Sequence, residues 1–294
     1  MGIATSYVGD MKNTADSSTG YGRVSYNYNV GTHEVTNSQY VSFLNAKGSS
    51  NAHGLYNSNM NSSTEGGIQQ SGSFGSYTYS VKDGMGQKPV NYVSFWDAAR
   101  FTNYLTTGGT ESGVYDLTNA SAITSNTVIR DGTAWAAGGF AVASEDEWYK
   151  AAYYDPTLNG GAGGYWDYAH QSDSTGTTVD ANYANSVGTL TDVGTYSDYA
   201  SSYGTFDQGG NAWEWNDAIV SSNNRGMRGG AFNGSASNLL SSFGSYFDPA
   251  YGFGSLGFRV SSLAPIPEPS TYAAIFGCLA LTVATIRRKG RRTL

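Results

Sequence analysis

The sequence predicts one mixed domain of few helices, short strands and long irregular loops, followed by a C-terminal membrane segment. Three capping boxes mark helix starts, at Thr36 with Gln39, Ser94 with Asp97 and Ser144 with Glu147. Around them lie Gly/Ser/Asn-rich stretches, residues 47–87 and 160–203, with little hydrophobic periodicity. An aromatic content of 14% still provides for a real core, and 294 residues suffice for one large domain.

Taken in order, residues 1–20 form a polar N-terminal segment that ends in a loop, and residues 23–30 suit a strand. The first helix is expected over residues 37–46, with Val35 and Tyr40 placed to staple its start and Tyr40, Phe43 and Leu44 buried. The following polar stretch is too long for an ordinary connection, so residues 73–81 are assigned to a strand. The second helix should run from Ser94 to Leu105 before Gly108 and Gly109 stop it, and the third from Ser144 to the Asp155-Pro156 break. The acids at these helix starts, Asp97, Glu145, Asp146 and Glu147, have a complete explanation as caps and dipole partners.

The formal charge is −7, but five of the 16 basic residues sit at the extreme C-terminus; without them 11 basic face 23 acidic residues, a net −12. Such a surface repels a phosphate backbone, and no basic stripe interleaved with aromatics is present, so nucleic acid is excluded as a partner. The single cysteine, Cys278, lies in the apolar run near the end, leaving the body without thiol chemistry. Residues 2–8 lack a basic n-region and a long apolar h-region, so a signal peptide is expected upstream of the recorded start. Residues 263–294 read as a Pro-rich spacer, an apolar run over 271–286 suited to a membrane span, and a basic end that keeps the C-terminus cytoplasmic.

The most specific stretch is Gly204-Thr-Phe-Asp-Gln-Gly-Gly-Asn-Ala-Trp-Glu-Trp215. Gly209 and Gly210 permit a tight turn, and Asp207 and Glu214 place hard oxygen ligands on either side, a pattern that suits Ca²⁺. On residue types alone it reads equally as a structural turn with both indoles in the core.

Phe206-Asp-Gln-Gly-Gly-Asn-Ala-Trp-Glu-Trp215, Arg225-Gly-Met-Arg-Gly-Gly-Ala-Phe232 and Gly257-Phe-Arg259 resemble the formylglycine-generating enzyme, or sulfatase-modifying factor, family. Gly31-Thr-His-Glu-Val-Thr-Asn-Ser-Gln-Tyr40, Lys88-Pro-Val-Asn-Tyr-Val-Ser-Phe-Trp-Asp-Ala98 and Ser144-Glu-Asp-Glu-Trp-Tyr-Lys-Ala-Ala152 match upstream in the same order. The resemblance spans residues 21–262 and implies a single α+β domain of the sulfatase-modifying-factor type, related to C-type-lectin-like folds. It implies one calcium site at Asn182 and the Tyr183 carbonyl, with Asn185 or Asp180 as further ligands. A second comprises the Asp207 and Glu214 carboxylates with the Gly210 and Ala212 carbonyls. The family's Arg-Leu-Pro-Thr before the third helix is Ala141-Val-Ala-Ser144 here, one charge fewer.

Catalytic members hold Cu⁺ with two thiolates, soft ligands for a soft ion. Carried over from Arg228-Gly-Gly-Ala-Phe232, those positions are Gly234 and Leu239, which cannot bind copper, so formylglycine generation is not expected. The related iron-dependent sulfoxide synthases use three His; here His33 reads as structural and His53 and His170 as solvated. The tail resembles a PEP-CTERM sorting signal, implying removal of the membrane segment by an exosortase-type protease; a plain C-terminal anchor is the alternative. The expected function is that of an exported, non-catalytic domain, calcium-stabilised, at the surface or in extracellular matrix. It would bind a glycan or protein through a Tyr/Trp/Asn-rich cleft over the former copper positions. The rival is an enzyme of unknown type using that cleft, with Asp207/Glu214, Asp116 or Asp131 as acid and base.

Overall fold

The structure, a computed structural model, describes residues 2–264. The apolar run, Cys278 and the expected sorting signal lie outside the described residues, among which no helix is long and apolar enough to cross a membrane.

Each capping box opens a helix. Thr36 Oγ1 accepts from the Gln39 N–H at 3.3 Å, Gln39 Oε1 accepts from the Thr36 N–H at 2.9 Å, and the helix runs Asn37–Lys47. Its buried Tyr40, Phe43 and Leu44 are those expected, and Phe43 meets Phe101 of the second helix edge-to-face at 5.4 Å. The second helix, Phe95–Thr107, stops at Gly108 in the left-handed conformation, φ 77°, two residues later than expected. The third, Glu145–Tyr153, gives way to a short strand, Tyr154–Asp155, paired with Gly164–Tyr165.

Two four-stranded sheets flank the core. In the first, Thr5–Val8, Tyr28–Gly31, Val260–Leu263 and Phe140–Val142 lie side by side, all antiparallel. In the second the order is Ser245–Phe247, Asn224–Arg228, Trp213–Ser221 and Leu256–Phe258, with only the last pairing parallel. Because Leu256–Phe258 belongs to one sheet and Val260–Leu263 to the other, Arg259 stands at the junction of the two. The main core packs the first two helices with Trp215 and Phe258, and a second cluster joins Tyr28 and Val30 to Trp148, Tyr149 and Tyr153.

Three expectations need correction. The strand placed over residues 23–30 is only Tyr28–Gly31. The strand placed over 73–81 is Thr78–Val81, paired with an unexpected Ile68–Ser71; between them Gly72 (φ 87°) and a Ser73–Ser76 backbone bond of 2.9 Å make the turn. The folded body starts before residue 21, because Thr5–Val8 is an edge strand of the first sheet.

The polar loops are ordered by amide side chains that stand in for ladder bonds. Asn45 bonds both the N–H and the C=O of Tyr79, each at 2.9 Å, and Asn103 does the same for Tyr115 at 3.0 and 2.8 Å. Three of the helix-start acids also reach beyond their own helix: Glu145 pairs with Arg228, Asp146 accepts from the Gly22 N–H at 2.7 Å, and Glu147 pairs with Arg130.

Candidate functional site

The loop before Trp213–Ser221 is held in an unusual backbone path. Asp207 (φ 61°), Gly210 (φ 94°) and Asn211 (φ 57°) are all left-handed, and a Cβ on Gly210 would collide with the Asn182 carbonyl. The Gly210 N–H donates to the Gly229 carbonyl and the Asn211 N–H to the Asn182 carbonyl, both at 2.8 Å. The two predicted calcium groups, Asn182/Tyr183 and Asp207/Gly210/Ala212/Glu214, therefore lie side by side.

Glu214 is fully buried and held on three sides. Arg259 donates through Nε and Nη2 to its two oxygens, each at 2.6 Å, and Trp148 Nε1 donates to Oε2 at 2.8 Å. The same guanidinium donates to the carbonyls of Gly31 and Phe206, both at 2.9 Å, so it ties the first sheet to the loop. Glu34 accepts from Asn211 Nδ2 at 3.0 Å through Oε1; its Oε2, 4.0 Å from Arg259 Nη2, makes no hydrogen bond. Asp207 Oδ2 accepts from the Gly194 N–H at 2.6 Å, and its buried Oδ1 makes none. Burial, and then the neighbouring carboxylates, push the Glu34 carboxyl well above the usual range, and burial pushes Asp207 up to about 6.

For the implied calcium ion the donors divide. Glu214 is committed to Arg259 and Trp148, whereas Asp207 offers a buried oxygen without a partner. Three buried carboxyl groups face one guanidinium, a crowding relieved by protonation, in line with the raised Glu34 and Asp207 carboxyls, or by a hard cation. Of the carboxylates in the second group only Asp207 has an oxygen free for such an ion, while Glu214 is spent on its ion pair. At the other group, Asn182 Oδ1 is also buried without a partner, but the Tyr183 carbonyl already accepts from the Ser186 N–H at 3.1 Å. Among the described residues no three His, Cys, Asp or Glu side chains converge as a metal-binding group, so any shell draws on backbone oxygens.

Neither position carried over for copper offers a ligand. Gly234 sits where a side chain would press on Asn238 Oδ1 at 2.9 Å, and Leu239 is buried with Tyr168, Ala181 and Tyr183. At Leu239, therefore, packed side chains stand where the cleft was expected. The neighbouring cavity, lined by His170, Asp180 and Asp207, measures about 20 Å³, room for about one water.

The remaining candidates have structural partners. Asp131 Oδ1 caps a short helix by accepting from Thr133 and Ala134 at 2.8 and 2.9 Å, and Asp116 Oδ1 closes a turn at the Thr118 N–H, 3.0 Å away. His33 stacks on Phe206 at 5.2 Å, and burial beside Arg259 lowers it to about 4. His170 is half-buried against Tyr168 and lowered by burial, not solvated as expected; His53 Nε2 lies 3.5 Å from Glu111.

Sequence reasoning missed two guanidinium roles. Arg259 and Glu34 stand inside motifs already singled out, without a task assigned to either. Arg130 comes from an unremarked loop, and its Nη2 donates to the Val142 carbonyl beside Ala141. It donates to both Glu147 oxygens at 2.8 Å, lies 2.5 Å from Asp217 and stacks on Trp135 at 4.4 Å. Burial works against the Glu147 charge, yet Arg130 and the surrounding hydrogen bonds hold its carboxyl down at about 2.

The fold and these motifs agree with known proteins. Residues 9–263 match the model of the sulfatase-modifying factor enzyme 1-like domain. No curated protein sequence matches significantly. Among solved structures, Treponema denticola variable protein 1 superposes with a TM-score of 0.58 at 18% identity, covering 89% of this chain and 95% of its own. CarF superposes with a TM-score of 0.58 at 20% identity, covering 90% of this chain and 99% of its own. At such identities the likeness is one of fold. With the family model covering most of its length, the chain belongs to the sulfatase-modifying-factor (FGE-sulfatase) family.

Proposed function

We propose that this protein is an exported, non-catalytic member of its family that works as a binding domain, stabilised by Ca²⁺ and displayed at the cell surface or in extracellular matrix. The observation that carries the reading is the fate of the two thiolate positions: Gly234 has no side chain and Leu239 is a buried apolar residue, so neither supplies a metal ligand. Without thiolates there is no soft-metal site for oxidising a cysteine. Asp207 Oδ1 supports the calcium assignment, and the ion would fix a loop that otherwise concentrates negative charge. The Pro-Glu-Pro spacer at residues 267–269, the apolar run and the basic end support sorting by an exosortase-type protease. The partner is a glycan or a protein.

Two measurements test this. The full-length protein, given Cu⁺, O₂ and a sulfatase-motif peptide, should leave the peptide mass unchanged; formylglycine in the spectrum overturns the non-catalytic reading. It should also co-sediment with insoluble envelope or matrix material from its own host. Complete recovery in the supernatant overturns the binding reading.

A further inference from the structure

A groove of about 370 Å³ lies away from the calcium loop and the former copper positions, between the chain after the first helix, the start of the second helix and the segment around Tyr251. Its volume falls in the range of small-molecule sites. Three aromatic side chains form its apolar surface: Tyr92, Trp96 and Tyr251, the last 64% exposed. Polar groups meet them there. Asp97 uses Oδ2 to accept from the N–H and Oγ of Ser94, which leaves Oδ1 for a ligand. Arg100 uses Nε and Nη2 on Glu111, which leaves Nη1. Asn57 uses Oδ1 on the Asn59 N–H, which leaves its amide NH₂.

The groove is built on fixed backbone. Tyr92 holds φ 55°, a conformation costly for a bulky residue, and is pinned by its hydroxyl on Ser63 Oγ at 2.6 Å and its N–H on the Phe253 carbonyl at 3.1 Å. On the opposite wall a Cβ at Gly252 would come within 2.5 Å of the Val93 carbonyl, so the two backbones touch.

We propose that this groove binds a sugar residue of a neutral saccharide. The assignment rests on the binding-domain reading above and gives it a place and a ligand class. A pyranose offers an apolar C–H face to the exposed ring of Tyr251 and adjacent hydroxyls to a carboxylate oxygen, a guanidinium N–H and an amide, and both kinds of surface are present here. The charges select a neutral sugar. Glu111 already neutralises Arg100, so Asp97 leaves the groove negative and a uronate or sulfated unit would be repelled.

The test is calorimetric titration of the full-length protein with neutral gluco-, galacto- and manno-oligosaccharides of four to six units, with polygalacturonate and heparin as anionic probes. At least one neutral series should bind. Tyr251→Ala should weaken it about 5- to 10-fold, the loss of one stacked ring. Asn57→Asp, which keeps the acceptor for the Asn59 N–H and removes the amide donor, should weaken it as well, with melting temperature unchanged in both. Neutral binding that persists in both variants overturns the groove but leaves the binding-domain reading standing. Failure of every neutral series, or binding of the anionic probes alone, overturns the saccharide assignment, and co-sedimentation judges the broader reading separately.

Discussion

Replacing Arg259 by Met keeps most of the side-chain volume and removes the charge at the junction of the two sheets. Glu214 then loses two bonds of 2.6 Å, the carbonyls of Gly31 and Phe206 lose their donor, and Glu34 and Asp207 lose the cation that offsets them. Breaking a fully buried ion pair from one side costs about 3–5 kcal/mol. For a domain of this size each kcal/mol lowers the melting temperature by about 2–4 °C, so the variant should melt roughly 6–20 °C below wild type. The assay is differential scanning calorimetry at neutral pH, repeated with Glu214→Gln and with the double variant. If uncompensated charge is the cause, Glu214→Gln should recover part of the loss in the Arg259→Met background, a coupling of about 1–3 kcal/mol. A shift below about 3 °C, or strictly additive single and double variants, refutes the reasoning.

Chelation should lower the melting temperature and Ca²⁺ restore it, by about 2.7 kcal/mol at a free concentration 100 times Kd; a curve indifferent to both removes calcium from the loop. Gly210→Ala should cost about 2 kcal/mol, since φ 94° is strained for alanine and the methyl meets the Asn182 carbonyl; urea denaturation at wild-type stability contradicts it. Glu147 is held at about 2 against an ordinary 4.5, so its contribution is complete above pH 4.5 and lost as pH falls toward 2, on the order of 3 kcal/mol. Glu147→Gln should therefore flatten the acid limb of stability, and an unaltered limb disproves the assignment. In its native host the released protein should end near Pro267; intact mass showing the Arg-rich terminus on released protein favours a plain anchor.

How far the sequence could be read depended on whether an interaction was local. The three helix starts were legible because Thr36, Ser94 and Ser144 each find their partner three residues on. The strands were not. Tyr28–Gly31 and Thr78–Val81 are short, and their pairing with Val260–Leu263 and Ile68–Ser71 is set by contacts that no window of sequence contains. The same distinction holds at the site. Asp207 and Glu214 announce themselves within twelve residues, but Arg259 reaches Glu214 across 45 positions and Asn211 reaches Glu34 across 177. The groove at Tyr92 and Tyr251 was invisible for that reason, each aromatic looking like core material until the chain brought them together.

The strand Val260–Leu263 lies between Tyr28–Gly31 and Phe140–Val142, not at a margin of its sheet. Tyr28–Gly31, paired on one side only with Thr5–Val8, and Phe140–Val142 therefore have to wait for nearly the last residues of the body to be synthesised. Such late, long-range closure makes folding slow and leaves two open strand edges meanwhile. Any truncation that removes residues 260–263 should yield an aggregating product, not a smaller folded one.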